Sequence, residues 1–530
     1  MTVTPRDFGG FDWLVLAGYA GLLLTIGFRS SRRPATSEEY FTGGRSVRPF
    51  LAGISFFTAT TSVITYLGNP GEYISFGPAL TLYAPLLTLP FLYLAVGWLL
   101  IPSIMRLPIT SAYELLEARL GRSVRQAGSL AYILTRLVWM ALILYLVSTV
   151  LIRVMGADPR WTYVLAAAIG TVTTVYTLFG GIRTVMLTEV IQFFLFLFGA
   201  ILTIVSISVK LGGFSAWWPR HGEGHWEPQP VFSFDPHLRV SQVGAFLIYL
   251  ISPFCVAGSD QAAIQRFLTT RDVKAARRAF LLNTLASAAI AVVLLLVGAA
   301  LLGFFRLHPE AIPAGVDLIK NGDAFFPLYI SHYLPVGVSG LLVACILASA
   351  MACLAAGINA TITVVMKDFI EVNAARVAGR SDAAKLRLTH WLAIGIGLAV
   401  VSGSIGVGFV RGNLVEVAAK TVNLLTVPIF GLFFLAMFVE SATAFGAIMG
   451  AVYSTTTSAL IAYWEVFTGG RPLSFLWMMP AALVVSLAAG CFFSRWPTRG
   501  RRPLVQAAYA VAALAPLAAF VAWLIGRSRL

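Results

Sequence analysis

Apolar runs long enough to cross a lipid bilayer follow one another along almost the whole chain. A helix needs about 20 apolar residues to span the hydrocarbon core, and about fourteen such stretches can be placed. They fall at residues 10–28, 48–69, 77–104, 124–153, 160–179, 184–210, 241–264, 277–305, 333–366, 388–410, 414–440, 442–464, 473–494 and 504–526. With 58% hydrophobic and only 12% charged residues among 530, the chain carries more apolar surface than a soluble protein of this size can bury. Backbone polar groups have no water partner in the hydrocarbon, so the runs must be helices. The expected fold class is an all-α polytopic membrane protein.

The net charge of +15 would suggest nucleic acid in a soluble protein. Here the basic residues are scattered over loops, densest in "RSSRRP" (29–34), "RFLTTRDVKAARR" (266–278) and "RVAGRSDAAKLR" (376–387). Such loops belong on the cytoplasmic side, and placing the N-terminus outside puts roughly two-thirds of the Lys and Arg there. An even number of spans returns the C-terminus outside as well. The expected setting is the cell membrane, crossed many times, with the bilayer as partner and no role for nucleic acid. Cys255, Cys345, Cys353 and Cys491 all lie in apolar spans without metal-ligand spacing and read as core residues.

Two spans are interrupted. "FFTATTSVITYLGNPGE" (56–72) carries a cluster of hydroxyls and then Gly68, Asn69, Pro70 and Gly71, where a break is expected. Five spans later, "SPFCVAGSDQ" (252–261) combines Pro253, Gly258 and a carboxylate. An offset of five, an odd number of spans, inverts one broken helix relative to the other, which is the pattern of an inverted repeat with its binding site at the bilayer midplane. Broken backbone survives at that depth only in buried positions or beside a wet cavity.

Arg136, Glu189, Asp260 and Lys420 lie inside predicted spans. A charge at a helix centre costs about 2.5–3.5 kcal/mol on insertion scales, so each needs a partner, a cavity or a task. Asp260, beside Gln261, is placed to meet a cation or solute, or to pair with Arg266. Glu189 in "TVMLTEVIQFF" reads either as an interfacial carboxylate or as part of a cation or proton path. Lys420 is placed either to pair with Glu416 along one helix face or to reach an anionic solute, and Arg136 to snorkel to the cytoplasmic surface. Thr58, Thr60, Thr61, Ser62 and Thr65 cover more than one helix face. Some must bond preceding carbonyls, and those nearest the break, with its freed carbonyls, suit a hard cation or a polar solute. The small residues of "LASAMACLAAGINATITVVMKDFIEV" (347–372) favour close helix packing.

"TSEEYFTGGRSVRPF" (36–50), "GNPGEYISFG" (68–77), "FGGIRTVMLTEVIQFFLFLFG" (179–199), "GSDQAAIQRFL" (258–268) and "GINATITVVMKDFI" (357–370) together resemble the sodium/solute symporter family. The likeness is nearest to its monocarboxylate, multivitamin and iodide branch. It implies a leucine-transporter fold whose core, spans 2 to 11, forms two inverted repeats of five helices. The chain then divides into an N-terminal helix and basic loop (1–47), a first repeat (48–210), an external loop (211–240), a second repeat (241–440) and C-terminal helices (441–530).

The resemblance also implies a sodium site formed by carbonyls of Thr58 and Thr61 with groups at Ser349, Ala352 and Cys353. Alanine and cysteine stand there in place of the usual hydroxyl pair, and Glu189 stands in place of an aspartate. Solute contacts are implied at Thr65, Ser287 and Lys420, and Thr60, Asp260 and Gln261 complete the candidate set. Ala84 and Ser287 lack the polar groups of the sugar carriers. The expected function is sodium-coupled symport of a small polar organic solute, a carboxylate or other anion, by alternating access. Proton-coupled or uncoupled transport and a membrane solute sensor are the alternatives. No enzymatic activity or organic cofactor is expected, Na⁺ (or H⁺) is the coupling ion, and the oligomeric state is left open.

Overall fold

The computed structural model describes residues 8–30, 36–218, 226, 229–233, 235–373, 381–408, 414–498 and 503–527. Among these every regular element is a helix. Eleven helices are long and apolar enough to cross a membrane, or twelve when one sharply bent pair is counted as a span. In chain order they are α1 (Gly10–Arg29), the pair α2 (Pro49–Thr60) and α3 (Val63–Phe76), α4 (Ala79–Met105), α5 (Arg122–Val154), α6 (Pro159–Leu178) and α7 (Gly180–Leu211). Then come α8 (Gln242–Ser259), continued by the short α9 (Gln261–Leu268), followed by α10 (Val273–Leu307), α11 (Val338–Ile370) and α12 (Asp382–Val407). After α13 (Leu414–Phe438) the chain ends with α14 (Ala444–Ala462), α15 (Phe475–Ser494) and α16 (Pro503–Arg527). The remaining two expected spans fall on α13 and α16, whose described apolar stretches, Asn423–Phe438 and Ala507–Phe520, are shorter than a full crossing.

The centre is α11, with 94% of its most apolar window buried. Its run of Ala, Gly and Ser lets neighbouring backbones approach closely. A Cβ on Gly357 would lie 2.5 Å from Met140 Sδ and 3.0 Å from Arg136 Nε, so that glycine admits two side chains of α5. At the start of α11, Asp12 of α1 accepts from the Gly337 and Gly340 amides, both at 2.7 Å, and from the Ser339 hydroxyl at 3.0 Å. The first helix is thereby tied to orphan donors at the N-terminus of the central one.

The first break lies earlier than Gly68–Gly71. The chain is helical through Pro70, and α2 and α3 meet at 67° across Thr61 and Ser62. Thr61 (φ −99°, ψ 129°) and Ser62 (φ −110°, ψ 170°) are extended. The hydroxyls decide the position. Those of Thr58 and Thr60 turn back onto Ile54 and Phe56 carbonyls at 3.2 and 2.9 Å, while Ser62 Oγ accepts from the Ile64 amide and caps α3. Gly71 serves close approach instead, because a Cβ there would lie 2.6 Å from the backbone of Asp323.

The second break falls within the expected segment. Asp260 is extended (φ −77°, ψ 125°), and its Oδ1 caps α9 by accepting from Ala262 and Ala263 amides at 2.7 and 3.2 Å.

Helices α6 and α7 join at Gly181 (φ +59°, ψ −168°), a conformation open essentially to glycine alone, and a Cβ there would lie 2.9 Å from the Tyr40 carbonyl oxygen. Gly181→Ala is expected to cost about 1–3 kcal/mol. A clear fall in the apparent melting temperature checks this, and an unchanged one contradicts it.

Candidate functional site

A cavity of about 460 Å³ lies where the two broken spans approach each other. Its wall is built by the α2/α3 and α8/α9 junctions together with α4, α5, α10 and α13. Apolar and aromatic side chains such as Phe56, Phe57 and Trp139 alternate with hydroxyls and amides.

Thr60, Thr65, Asp260 and Ser287 from the candidate set line it. The Thr60 and Ser287 hydroxyls donate back to the Phe56 and Asn283 carbonyls, both at 2.9 Å, so each keeps acceptor capacity toward the cavity. Gln261 is outside the lining. It is fully buried, its Oε1 accepting from the Ala112 amide at 2.7 Å and its Nε2 donating to the Thr110 carbonyl at 3.2 Å. The amide thus braces the second break against the loop before α5. The Lys420 side chain lies outside the described residues. Asn423 and Thr426, further along α13, do line the cavity.

Arg136 does not snorkel. It is 8% exposed and stands in the cavity wall, its Nη1 3.5 Å from Asp260 Oδ2 and its Nη2 3.5 Å from the Ala59 carbonyl. The ion pair explains the reorientation, because a carboxylate at the same depth offsets the cost of holding the guanidinium in the bilayer. Asp260 therefore does two jobs at once, one oxygen capping α9 and the other facing Arg136. Asn69, Tyr249, Asn283 and Asn423 also line the cavity; the sequence marks Asn69 only as part of an expected break and none of the four as a solute contact. On α10 a signal existed: Phe280, Asn283, Thr284, Ser287 and Ala291 recur at helical spacing and share one face.

Beside the cavity is a second void of about 10 Å³, lined by Phe57, Thr58, Thr61, Gln192, Phe196, Ser349 and Ala352. It has room for about one water-sized species. Thr58, Thr61, Ser349 and Ala352 thus come together, whereas Cys353, one residue on and rotated by about 100° around α11, is buried away from the void. The last carbonyls of a helix lack intrahelical partners and carry its negative end. The end of α2 lies at the void through Thr58 and Thr61.

Glu189 is fully buried on α7. Its Oε1 accepts from Arg266 Nη2 at 2.7 Å, and its Oε2 accepts from the Ser55 hydroxyl. Arg266, also fully buried, donates in addition to Ser55 Oγ at 3.1 Å and to the Ala262 carbonyl at 2.8 Å. Arg266 is therefore the partner of Glu189, not of Asp260.

Residues 40–453 match the model of the sodium:solute symporter family. The sodium/sialic acid symporter SiaT of Proteus mirabilis (strain HI4320) is 29% identical over 85% of this chain and 89% of its own length. The human sodium/iodide cotransporter is 28% identical over 84% of this chain and 67% of its own. The solved substrate-bound, outward-open state of a Na⁺-coupled sialic acid symporter superposes with a TM-score of 0.76 at 28% identity, covering 92% of this chain and 98% of that one. A match of this extent, together with two broken spans framing a cavity and a cation-sized void, places the chain in the sodium:solute symporter family, which consists of sodium-coupled transporters and not of enzymes.

Proposed function

We propose that this transporter carries a small organic carboxylate, bearing several hydroxyl or amide groups, together with Na⁺ by alternating access. The observation that supports the solute class most directly is Arg136, a buried guanidinium in the cavity wall with Asp260 at 3.5 Å. A guanidinium presents a planar fork of donors that matches a carboxylate. Around it, Thr65, Asn69, Asn283, Ser287 and Asn423 offer donors and acceptors for hydroxyls or amides. The volume of about 460 Å³ suits an organic molecule rather than a bare halide. Relatives named for sialic acid and for monocarboxylates agree with an organic anion.

In this reading Na⁺ binds in the void at the end of α2, held by carbonyls of Thr58 and Thr61 and the hydroxyl of Ser349. Bound there, it favours the broken shape of α2/α3 that presents Thr60 and Thr65 to the solute. Coupling is the difference in affinity of ion and solute for the two access states. The positions of the two breaks support a leucine-transporter core of two inverted repeats, 48–210 and 241–440, flanked by 1–47, the external loop 211–240 and the C-terminal helices 441–530. A sodium-coupled family lends no weight to proton coupling, uncoupled passage or a sensor role.

Uptake into proteoliposomes tests the proposal. An inward Na⁺ gradient is expected to drive accumulation of a hydroxylated carboxylate, and a K⁺ gradient is expected to leave it at equilibrium. Accumulation in K⁺ alone overturns the coupling. The ion site makes a separate prediction. Ala352→Ser adds an oxygen to the void and is expected to tighten Na⁺ binding by about 1 kcal/mol, or roughly fivefold. Cys353→Ser, facing elsewhere, is expected to leave the affinity unchanged. Sodium titrations of thermal stability distinguish the two, and equal effects contradict the assignment.

A further inference from the structure

We infer that six hydroxyls of the cavity wall serve a solute as acceptors alone, so that the transporter selects a polyhydroxylated carboxylate by its O–H donors and discriminates against carboxylates that carry none. The inference rests on the carboxylate-symport reading above and adds which polar groups the rest of the solute must bring. Thr60 on α2, Thr88 on α4, Thr135 on α5, Ser259 on α8, and Thr284 and Ser287 on α10 all line the cavity. Each donates to a carbonyl one turn back on its own helix, that of Phe56, Ala84, Ala131, Cys255, Phe280 and Asn283 respectively, at 2.8–2.9 Å. A hydroxyl has one proton and two lone pairs. With the proton committed to the helix, lone pairs are what it offers to a solute.

The other polar groups of the wall do not reverse this balance. Arg136 supplies the donor fork that meets the carboxylate, and Asn69, Asn283 and Asn423 each present an acceptor together with two donors. Thr65 and Ser252 are free to turn either way. The committed hydroxyls come from five helices around the cavity, so the donors that meet them must be spread along the solute, as on a hydroxylated chain or ring. A single ammonium group gathers its donors at one point and cannot serve them all. An unsubstituted fatty acid or an oxo acid would displace water from these oxygens and return no hydrogen bond, which costs affinity. The cavity therefore fits the sugar acids better than the simple monocarboxylates.

Calorimetry on the purified full-length protein in NaCl tests this, with gluconate, hexanoate and the monodeoxy and monodeoxyfluoro gluconates as ligands. Gluconate is expected to bind at least about 30-fold more tightly than hexanoate, because each neutral hydrogen bond contributes roughly fivefold and several form. Wherever replacing a hydroxyl by hydrogen weakens binding about fivefold, replacing it by fluorine is expected to weaken it as much, since fluorine cannot donate. Fluorine that restores the affinity would show that the wall donates, and overturns the inference. Thr284→Val and Ser287→Ala are each expected to weaken gluconate about fivefold and to leave hexanoate unchanged. Equal losses for the two ligands would mean that these hydroxyls merely support α10, and the ligand series on the wild type decides where a variant does not fold. Hexanoate binding as tightly as gluconate overturns this inference and leaves carboxylate symport intact. A protein that binds none of these acids in Na⁺ overturns both.

Discussion

Arg136→Gln is expected to weaken binding of a carboxylate solute by about 100-fold, because hydrogen bonds to a charged partner contribute about 1.5–3 kcal/mol and each 1.4 kcal/mol is a factor of ten. Two effects act in the same direction. The fork that receives the carboxylate is gone, and Asp260, whose Oδ2 faces Arg136 at 3.5 Å, is left as an uncompensated anion in the cavity wall. A neutral amide analogue of the same solute gains nothing from the guanidinium charge and is expected to lose far less. Combining Arg136→Gln with Asp260→Asn removes the stranded charge and should recover folding stability, but not carboxylate affinity. The dissociation constants of acid and amide, measured on the three proteins, decide the matter. Equal losses for the two ligands mean that Arg136 does not meet the solute's charge.

Breaking the Glu189–Arg266 pair should produce the largest loss of stability from any single side chain considered. Both partners are fully buried, and removing one member of a buried ion pair typically costs about 3–5 kcal/mol, since the other remains charged without compensation. Glu189→Gln and Arg266→Met are each expected in that range, and the double variant is expected to cost clearly less than the sum. Unfolding in detergent at fixed Na⁺ measures the cycle. Additive losses would show that the pair does not act as a unit.

The spans and the existence of two interruptions were legible because both rest on chemistry local to the chain. Twenty apolar residues need no tertiary context to be recognised, and Asp260 with its flanking glycine and proline marks a break by composition alone. The position of the first break was harder. Gly68, Asn69, Pro70 and Gly71 look like a helix terminator, but helical packing of Gly71 against Asp323 depends on a segment about 250 residues away. Ser62 and the preceding threonines, which do end the helix, carry hydroxyls that suit capping and ligation equally.

The ion pairs were illegible for a related reason. Four charges near the midplane can be paired in several ways, and sequence distance favours Asp260 with Arg266, six positions on. Helical geometry directs Arg266 toward α7 and leaves Asp260 to Arg136 of α5, a pairing fixed only when the helices pack. Gln261 illustrates the same limit: adjacent to a cavity residue in sequence, it points to the loop at 110–112 instead. The residues around the void were accessible through family resemblance. That Ala352 faces the void and Cys353 does not follows from one helical step around α11.

The central claim, that the void at the end of α2 binds Na⁺ and organises the solute cavity, is tested most directly by the thermal stability of the purified protein. Melting would be followed in NaCl, KCl and choline chloride at matched ionic strength, in wild type and Ala352→Ser. An ion that binds only the native state raises stability by mass action. The predicted result is a concentration-dependent rise in Na⁺ alone, reached at lower Na⁺ in Ala352→Ser. Identical melting in the three salts, with no difference between the proteins, would contradict the account.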